Sequence, residues 1–75
     1  MSIDIQYMSQ EKLDALEDEL KKIKKEIIPA LARRIDDARQ MGDLSENAEY
    51  HAAREEMAWA QSRVKELDAT INNAE

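Results

Sequence analysis

The stretch Met41-Gly42-Asp43-Leu44-Ser45-Glu46-Asn47-Ala48-Glu49-Tyr50 separates two long charged helical patterns, and its reading decides the fold. Gly42 is the only glycine in the chain and falls where one pattern stops and the next begins, the position at which a helix favours a left-handed closing residue. Asp43 makes a good N-cap, and Glu46 three residues on completes a capping-box-like pattern for the helix that follows. The spacing thus predicts a turn over about 41–44, with two carboxylates near the positive end of a second helix.

Before this turn, Leu13, Leu16, Leu20, Ile23 and Ile27 recur at alternating three- and four-residue steps, the seam of a heptad, behind Ser9 as a cap. Leu31, Ile35 and Ala38 continue the apolar face one residue out of phase, since Arg34 and Asp37 occupy the places of the old register. Pro29 lies at the change of phase and removes a ladder hydrogen bond, so a kink is expected there; the stripe resumes at once, which argues against a helix end. After the turn, Tyr50, Ala53, Met57, Ala60, Val64, Leu67, Ile71 and Ala74 keep an unbroken three-four alternation. Both arms run about 30 residues from Gly42. Folding there sets Leu13 near Ile71, Leu20 near Val64 and Ile27 near Met57. The expected fold is all-α: a two-helix antiparallel coiled-coil hairpin about 45 Å long at ~1.5 Å rise per residue, with an acidic tip at the turn. Helix 1 is expected over about 10–40 and helix 2 over about 45–73, forming a single domain over 9–75. Residues 1–8, with Ile3, Ile5 and Tyr7 alternating, read as an extended lead-in.

Composition narrows the function. The 75 residues are 37% charged, lack Phe and Cys, and hold one Trp and two Tyr, which suits long helices and excludes a disulfide scaffold or thiolate metal site. A reducing cytoplasm is the expected location, with no apolar stretch long enough to cross a membrane and no signal-peptide pattern. The net charge of -6 argues against broad nonspecific nucleic-acid binding. Lys21, Lys22, Lys24 and Lys25 cluster on the first arm; a solvated face paired with Glu17, Asp18, Glu19 and Glu26 is the simpler reading, and a phosphate-contacting patch the sharper one. Asp36, Asp37, Asp43, Glu46 and Glu49 gather toward the turn.

On spacing alone Asp43 and Glu46 cap a helix. Capping and metal binding are compatible, because an ionised carboxylate has about four acceptor sites, and Mg²⁺ suits one or two protein carboxylates plus waters. Such a pair on a bare turn would not hold the ion tightly, so any catalysis must be shared with a partner. His51 has no second His or Cys beside it and reads as a surface residue. Trp59, two residues past the seam position Met57, points away from the hairpin interior, either toward another chain or domain or flat over neighbouring stems. With no nucleophile-base pair, triad or Gly-rich phosphate loop, the chain does not read as an enzyme by itself.

The run Gly42-Asp43-Leu44-Ser45-Glu46-Asn47-Ala48-Glu49-Tyr50-His51-Ala52-Ala53-Arg54-Glu55 resembles the signature of the N-terminal coiled-coil domain of the bacterial transcript cleavage factors GreA and GreB. The match is contiguous, Pro29 lies at the family's distance before the glycine, and Leu16, Leu20 and Ile23 fit the family's first helix. The acidic balance is nearer the GreA type. This resemblance implies that the hairpin enters the secondary channel of bacterial RNA polymerase and stimulates its Mg²⁺-dependent cleavage of the 3′ end of backtracked RNA, relieving arrest. Asp43 and Glu46 match the two catalytic carboxylates, which would help hold a Mg²⁺ shared with the polymerase and orient the attacking water. Arg39 and Arg54 match basic positions that contact RNA, Gly42 and Tyr50 match residues that shape the tip, and Ser45 stands where the family often has a basic residue. The resemblance also implies a C-terminal domain of peptidyl-prolyl-isomerase-like fold that docks on the channel rim. The chain stops where that domain would start, as an excised domain or a natural short form, and weak polymerase affinity is expected without it. The alternatives are a non-cleaving regulator of the same channel and a plain coiled-coil interaction module, self-associating through Trp59.

Overall fold

A computed structural model describes residues 9–74; the lead-in expected over 1–8 lies outside the described residues. Helix α1 spans Gln10–Lys22, a π-helical segment spans Ile23–Ile27, α2 spans Ile28–Gln40 and α3 spans Ala48–Asn72. The first three run on without a break in helical dihedrals, since Lys22, Ile27 and Ile28 all stay in the right-handed region, with φ near -62, -73 and -61°. They form one arm, α3 forms the other, and the two pack as an antiparallel hairpin.

Local chemistry sets most of the helix ends. Ser9 is extended and its hydroxyl accepts from the Lys12 amide at 3.2 Å, supplying one of the partners that a helix start lacks. At the far end Gly42 takes φ 112°, a conformation that residues with a Cβ rarely adopt.

The one-residue change of phase around Pro29 has a specific structural form. The helix widens just before the proline, and the Ile28 amide donates to the Ile23 carbonyl five residues back. A π turn holds one residue more than an α turn would, so it absorbs the single residue by which Leu31, Ile35 and Ala38 lag the earlier seam. Pro29 then falls at the very start of α2, where a missing amide proton costs least.

The seam closes over a thin core. Ile23, Leu31, Ala38, Ala53, Ala60 and Leu67 are each at most 6% exposed. Around Ile23, Leu31, Ala60 and Leu67 pack Leu16, Leu20, Ile27, Ile28, Met57, Val64 and Ile71. Ala60 on α3 packs in one cluster with Ile23 and Leu31 of the other arm, and so small a side chain lets the backbones approach. Among the described residues no polar side chain is buried. The shape is a rod of 49 × 28 × 12 Å with a radius of gyration of 16.2 Å, against roughly 11 Å for a compact chain of this length. Such a shape buries little and reaches far. No helix among the described residues is long and apolar enough to cross a membrane.

Cross-helix ion pairs accompany the antiparallel register. Arg63 grips Glu19 through Nε at 2.6 Å and Nη2 at 2.9 Å, and Arg34 reaches Glu56 near the other end. That arrangement revises the expected pairing of the lysine cluster. Glu19 is taken by Arg63, and none of Lys21, Lys22, Lys24 and Lys25 lies in an ion pair among the described residues. A planar guanidinium matches both carboxylate oxygens with two parallel N–H donors, whereas an ammonium on a flexible stem acts as a point charge.

Candidate functional site

The closed end of the hairpin is built from residue 38 onward. The Met41 amide donates to the Ala38 carbonyl at 3.1 Å and the Gly42 amide to the Arg39 carbonyl at 3.3 Å, which closes α2. A Cβ built on Gly42 would meet nothing within 4 Å, so the glycine answers to its backbone angle alone. Directly after it, Asp43 Oδ1 accepts from both the amide of Ser45 at 3.1 Å and its hydroxyl at 2.9 Å, an Asx turn that reverses the chain locally.

The second helix begins later than the capping-box spacing predicts. Asn47, extended at φ -87° and ψ 97°, is the N-cap: its Oδ1 accepts from the Tyr50 amide at 3.1 Å. Its Nδ2 donates to the Ala38 carbonyl at 2.7 Å, nine residues back on the other arm. The expected cap, Asp43, is already committed to Ser45, and a carboxylate can only accept. An amide both accepts and donates, so one side chain at 47 can serve the end of α2 and the start of α3 together. The turn therefore runs from Met41 to Asn47, and α3 starts at Ala48, beyond the expected 45.

This shift changes what Asp43 and Glu46 are free to do. Both lie exposed in the loop. Among the described residues, Asp43 Oδ2 and both oxygens of Glu46 have no hydrogen-bond or ion-pair partner. Neither closes a helix end, and both stand within a few residues of the positive end of α3, which favours anions. They do not form a self-sufficient metal cage: no group of three or more His, Asp or Glu side chains converges among the described residues. Two open carboxylates on a protruding loop fit an ion whose remaining ligands come from elsewhere.

The other tip residues are placed as follows. Arg39 is exposed in the last turn of α2 and Arg54 is exposed in the second turn of α3; neither has a side-chain partner among the described residues. Tyr50 is half-buried and meets the His51 ring edge-on, with centroids 5.6 Å apart at 68°. His51, read from sequence as a plain surface residue, is exposed but places Nε2 3.2 Å from the Ser45 carbonyl. Asn47 was a polar letter among polar letters, and nothing short of the Ala38 carbonyl beside it distinguishes it from Asp43 or Ser45 as a cap. Leu44 and Met41 are exposed at 39% and 72%.

Farther down the stalk, Trp59 is 59% exposed and borders a shallow open groove with Glu19, Ser62, Arg63 and Glu66. The hydrogen bonds from Arg63 hold the Glu19 carboxyl below the ordinary carboxylate range, against a smaller opposing effect of desolvation. The same bonds, with a further one to Glu66, raise Arg63 farther above its usual value. This ion pair belongs to the rod's stability and lies well away from the tip.

Residues 6–75 match the family described as "Transcription elongation factor, N-terminal", the N-terminal model shared by GreA and GreB. Among curated relatives, transcription elongation factor GreA of Cereibacter sphaeroides is 56% identical over 61 residues, covering 81% of this chain and 40% of that protein. GreA of Rhodospirillum rubrum is 50% identical over 68 residues, 91% of this chain and 43% of its own length. GreA of Pseudomonas aeruginosa is 44% identical over 61 residues, 81% of this chain and 39% of its own length. The chain thus spans about two fifths of the length of the relatives it matches.

Proposed function

The chain belongs to the family of transcription elongation factor N-terminal domains shared by GreA and GreB, and from that membership we propose that it is a stalk that carries Asp43 and Glu46 to the catalytic centre of bacterial RNA polymerase. Entering by the secondary channel, the tip would meet the extruded 3′ end of backtracked RNA. There the two carboxylates would help hold a Mg²⁺ shared with the polymerase. The ion supplies charge stabilisation for phosphodiester hydrolysis and lowers the pKa of bound water. This chain's own part is to position two anions, to keep an attacking water oriented by accepting its hydrogen bonds, and to leave bond cleavage to the polymerase.

One observation carries the reading: Asn47 does the capping, and Asp43 Oδ2 and both carboxylate oxygens of Glu46 are open at the end of a 49 Å rod. A rod only 12 Å across in its thinnest dimension suits insertion into a narrow passage. Arg39 and Arg54 would flank the RNA and offset its phosphate charge, which the tip's own acids repel. An enzyme in its own right would need a pocket and a complete ligand set, and the tip provides neither for a single ion.

The test is RNA cleavage in a purified, deliberately backtracked polymerase complex with the parent chain in excess and with Asp43→Asn and Glu46→Gln. Where affinity limits the signal, the same three chains are fused to the C-terminal part of a GreA relative. Short 3′ fragments that depend on both carboxylates, with binding to the polymerase retained, are expected. Equal cleavage by the parent and both variants would exclude the carboxylate role, and binding without cleavage would favour a non-cleaving occupant of the channel.

A further inference from the structure

The side chains of Asn47 and His51 do more than a helix start requires. Capping α3 needs only an acceptor at position 47, and Ser, Thr or Asp would supply one. Asn47 adds a donor and directs it at the Ala38 carbonyl, whose residue is 2% exposed in the last turn of α2. His51 is directed at the Ser45 carbonyl, the midpoint of the acidic loop. A carbonyl only accepts, so the imidazole donates, and either the Nε2–H tautomer or the imidazolium can do so. The Tyr50 ring lies beside the imidazole in a T-shaped arrangement, with centroids 5.6 Å apart.

We infer that Asn47 and His51 are positioning residues, which fasten the Asp43–Glu46 loop to the ends of both helices so that the two carboxylates are presented in one geometry. The inference deepens the function proposed above and rests on it for its catalytic consequence. Ser45 is held on both sides, by Asp43 at its amide and hydroxyl and by His51 at its carbonyl. Glu46 lies between Ser45 and Asn47, both anchored. Asp43 lies between Gly42, whose amide is bound to Arg39, and the Asx turn it forms itself. A loop with these bonds loses less freedom on placing its carboxylates around a shared ion than a loose one would, and near an active centre small misplacements are costly.

The substitution Asn47→Asp separates capping from anchoring. It keeps the acceptor for the Tyr50 amide but sets a carboxylate oxygen against the Ala38 carbonyl at the negative end of α2. His51→Ala removes the second anchor, and His51→Gln returns an N–H donor of similar reach. Two readouts are taken on the 75-residue chain. In the free chain, amide order parameters for residues 43–46 are expected to fall from about 0.8 to below about 0.6 in Asn47→Asp and His51→Ala, and to recover in His51→Gln. Circular dichroism should show α3 intact in all three. In the backtracked complex, Asn47→Asp should lower cleavage at saturation by about tenfold or more, with the half-saturating concentration within about twofold of the parent. Loop amides as rigid as the parent's in both Asn47→Asp and His51→Ala would overturn the inference. So would a loss of cleavage that lies wholly in the half-saturating concentration. Should Asn47→Asp fail to fold, the His51→Ala and His51→Gln pair decides the matter. Should neither the parent chain nor its fusion to the C-terminal part of a GreA relative stimulate cleavage, the functional reading fails while the order parameters still decide the anchoring.

Discussion

Deleting Lys25 and replacing Pro29 with alanine, separately and together, would test why the first arm contains a π turn. The seam residues Leu31, Ile35 and Ala38 come one position late for a continuous α-helix, and the wide turn over Ile23–Ile27 absorbs that position. Lys25 is exposed within it. Deleting it brings the later seam into phase and removes the reason for the wide turn. Pro29 would then sit inside an ordinary ladder, its ring against the carbonyl four residues back and one hydrogen bond missing, at a cost of about 3 kcal/mol. In the parent, Pro29 stands at the start of α2 past the wide turn, so Pro29→Ala alone should change stability by less than about 1 kcal/mol. The double variant should return to within about 1 kcal/mol of the parent. The implied coupling is about 2 to 3 kcal/mol, large beside a total stability of about 4 to 11 kcal/mol for a domain of this length. In urea, with a slope of roughly 1 kcal/mol per molar, the deletion should lower the midpoint by about 3 M and the added alanine should restore most of it. A neutral deletion, or one that Pro29→Ala fails to rescue, would refute the phase argument.

Three further outcomes follow from the packing and the ion pairs. Leu67→Ala removes a side chain that is 1% exposed and should cost about 2 to 4 kcal/mol in urea unfolding, while Ala60→Leu at a site with 0% exposure should cost about 1 to 3 kcal/mol by forcing the helices apart. Gly42→Ala should cost about 1 to 3 kcal/mol through its φ of 112° alone, with α2 and α3 still helical by circular dichroism; a neutral result would show that the turn relaxes to another conformation. Glu19 has a depressed folded pKa, so its contribution is present above the unfolded value near about 4.3 and is lost as pH falls through the folded one. Melting temperature should therefore fall less steeply below that pH in Glu19→Gln than in the parent. Added salt should shrink the difference, because both partners are at least a third exposed.

The hairpin was legible in the chain because a heptad-like seam on each side of one glycine leaves each apolar stripe a single partner, the other arm. The change of phase at Pro29 was legible too, but its form was not: the row of letters shows the slip without the π turn, which keeps Ile23 and Leu31 of the first arm together in the core against α3. At the tip, the acidic pair stands out by spacing and by its resemblance to a known signature. What the letters around it leave open is the capping duty, since Asp43, Ser45 and Asn47 are all competent caps. Helix propensity and capping rules act within a few residues, so the sequence alone determined the two arms, their antiparallel pairing and the acidic turn between them. The Ala38 carbonyl reaches Asn47 only when the arms are packed together, and His51 meets Ser45 only when the loop has closed. Tertiary structure therefore decided that Asn47 takes the cap and that Asp43 and Glu46 keep open oxygens, because the hydrogen-bond partner that settles the competition lies on the other helix.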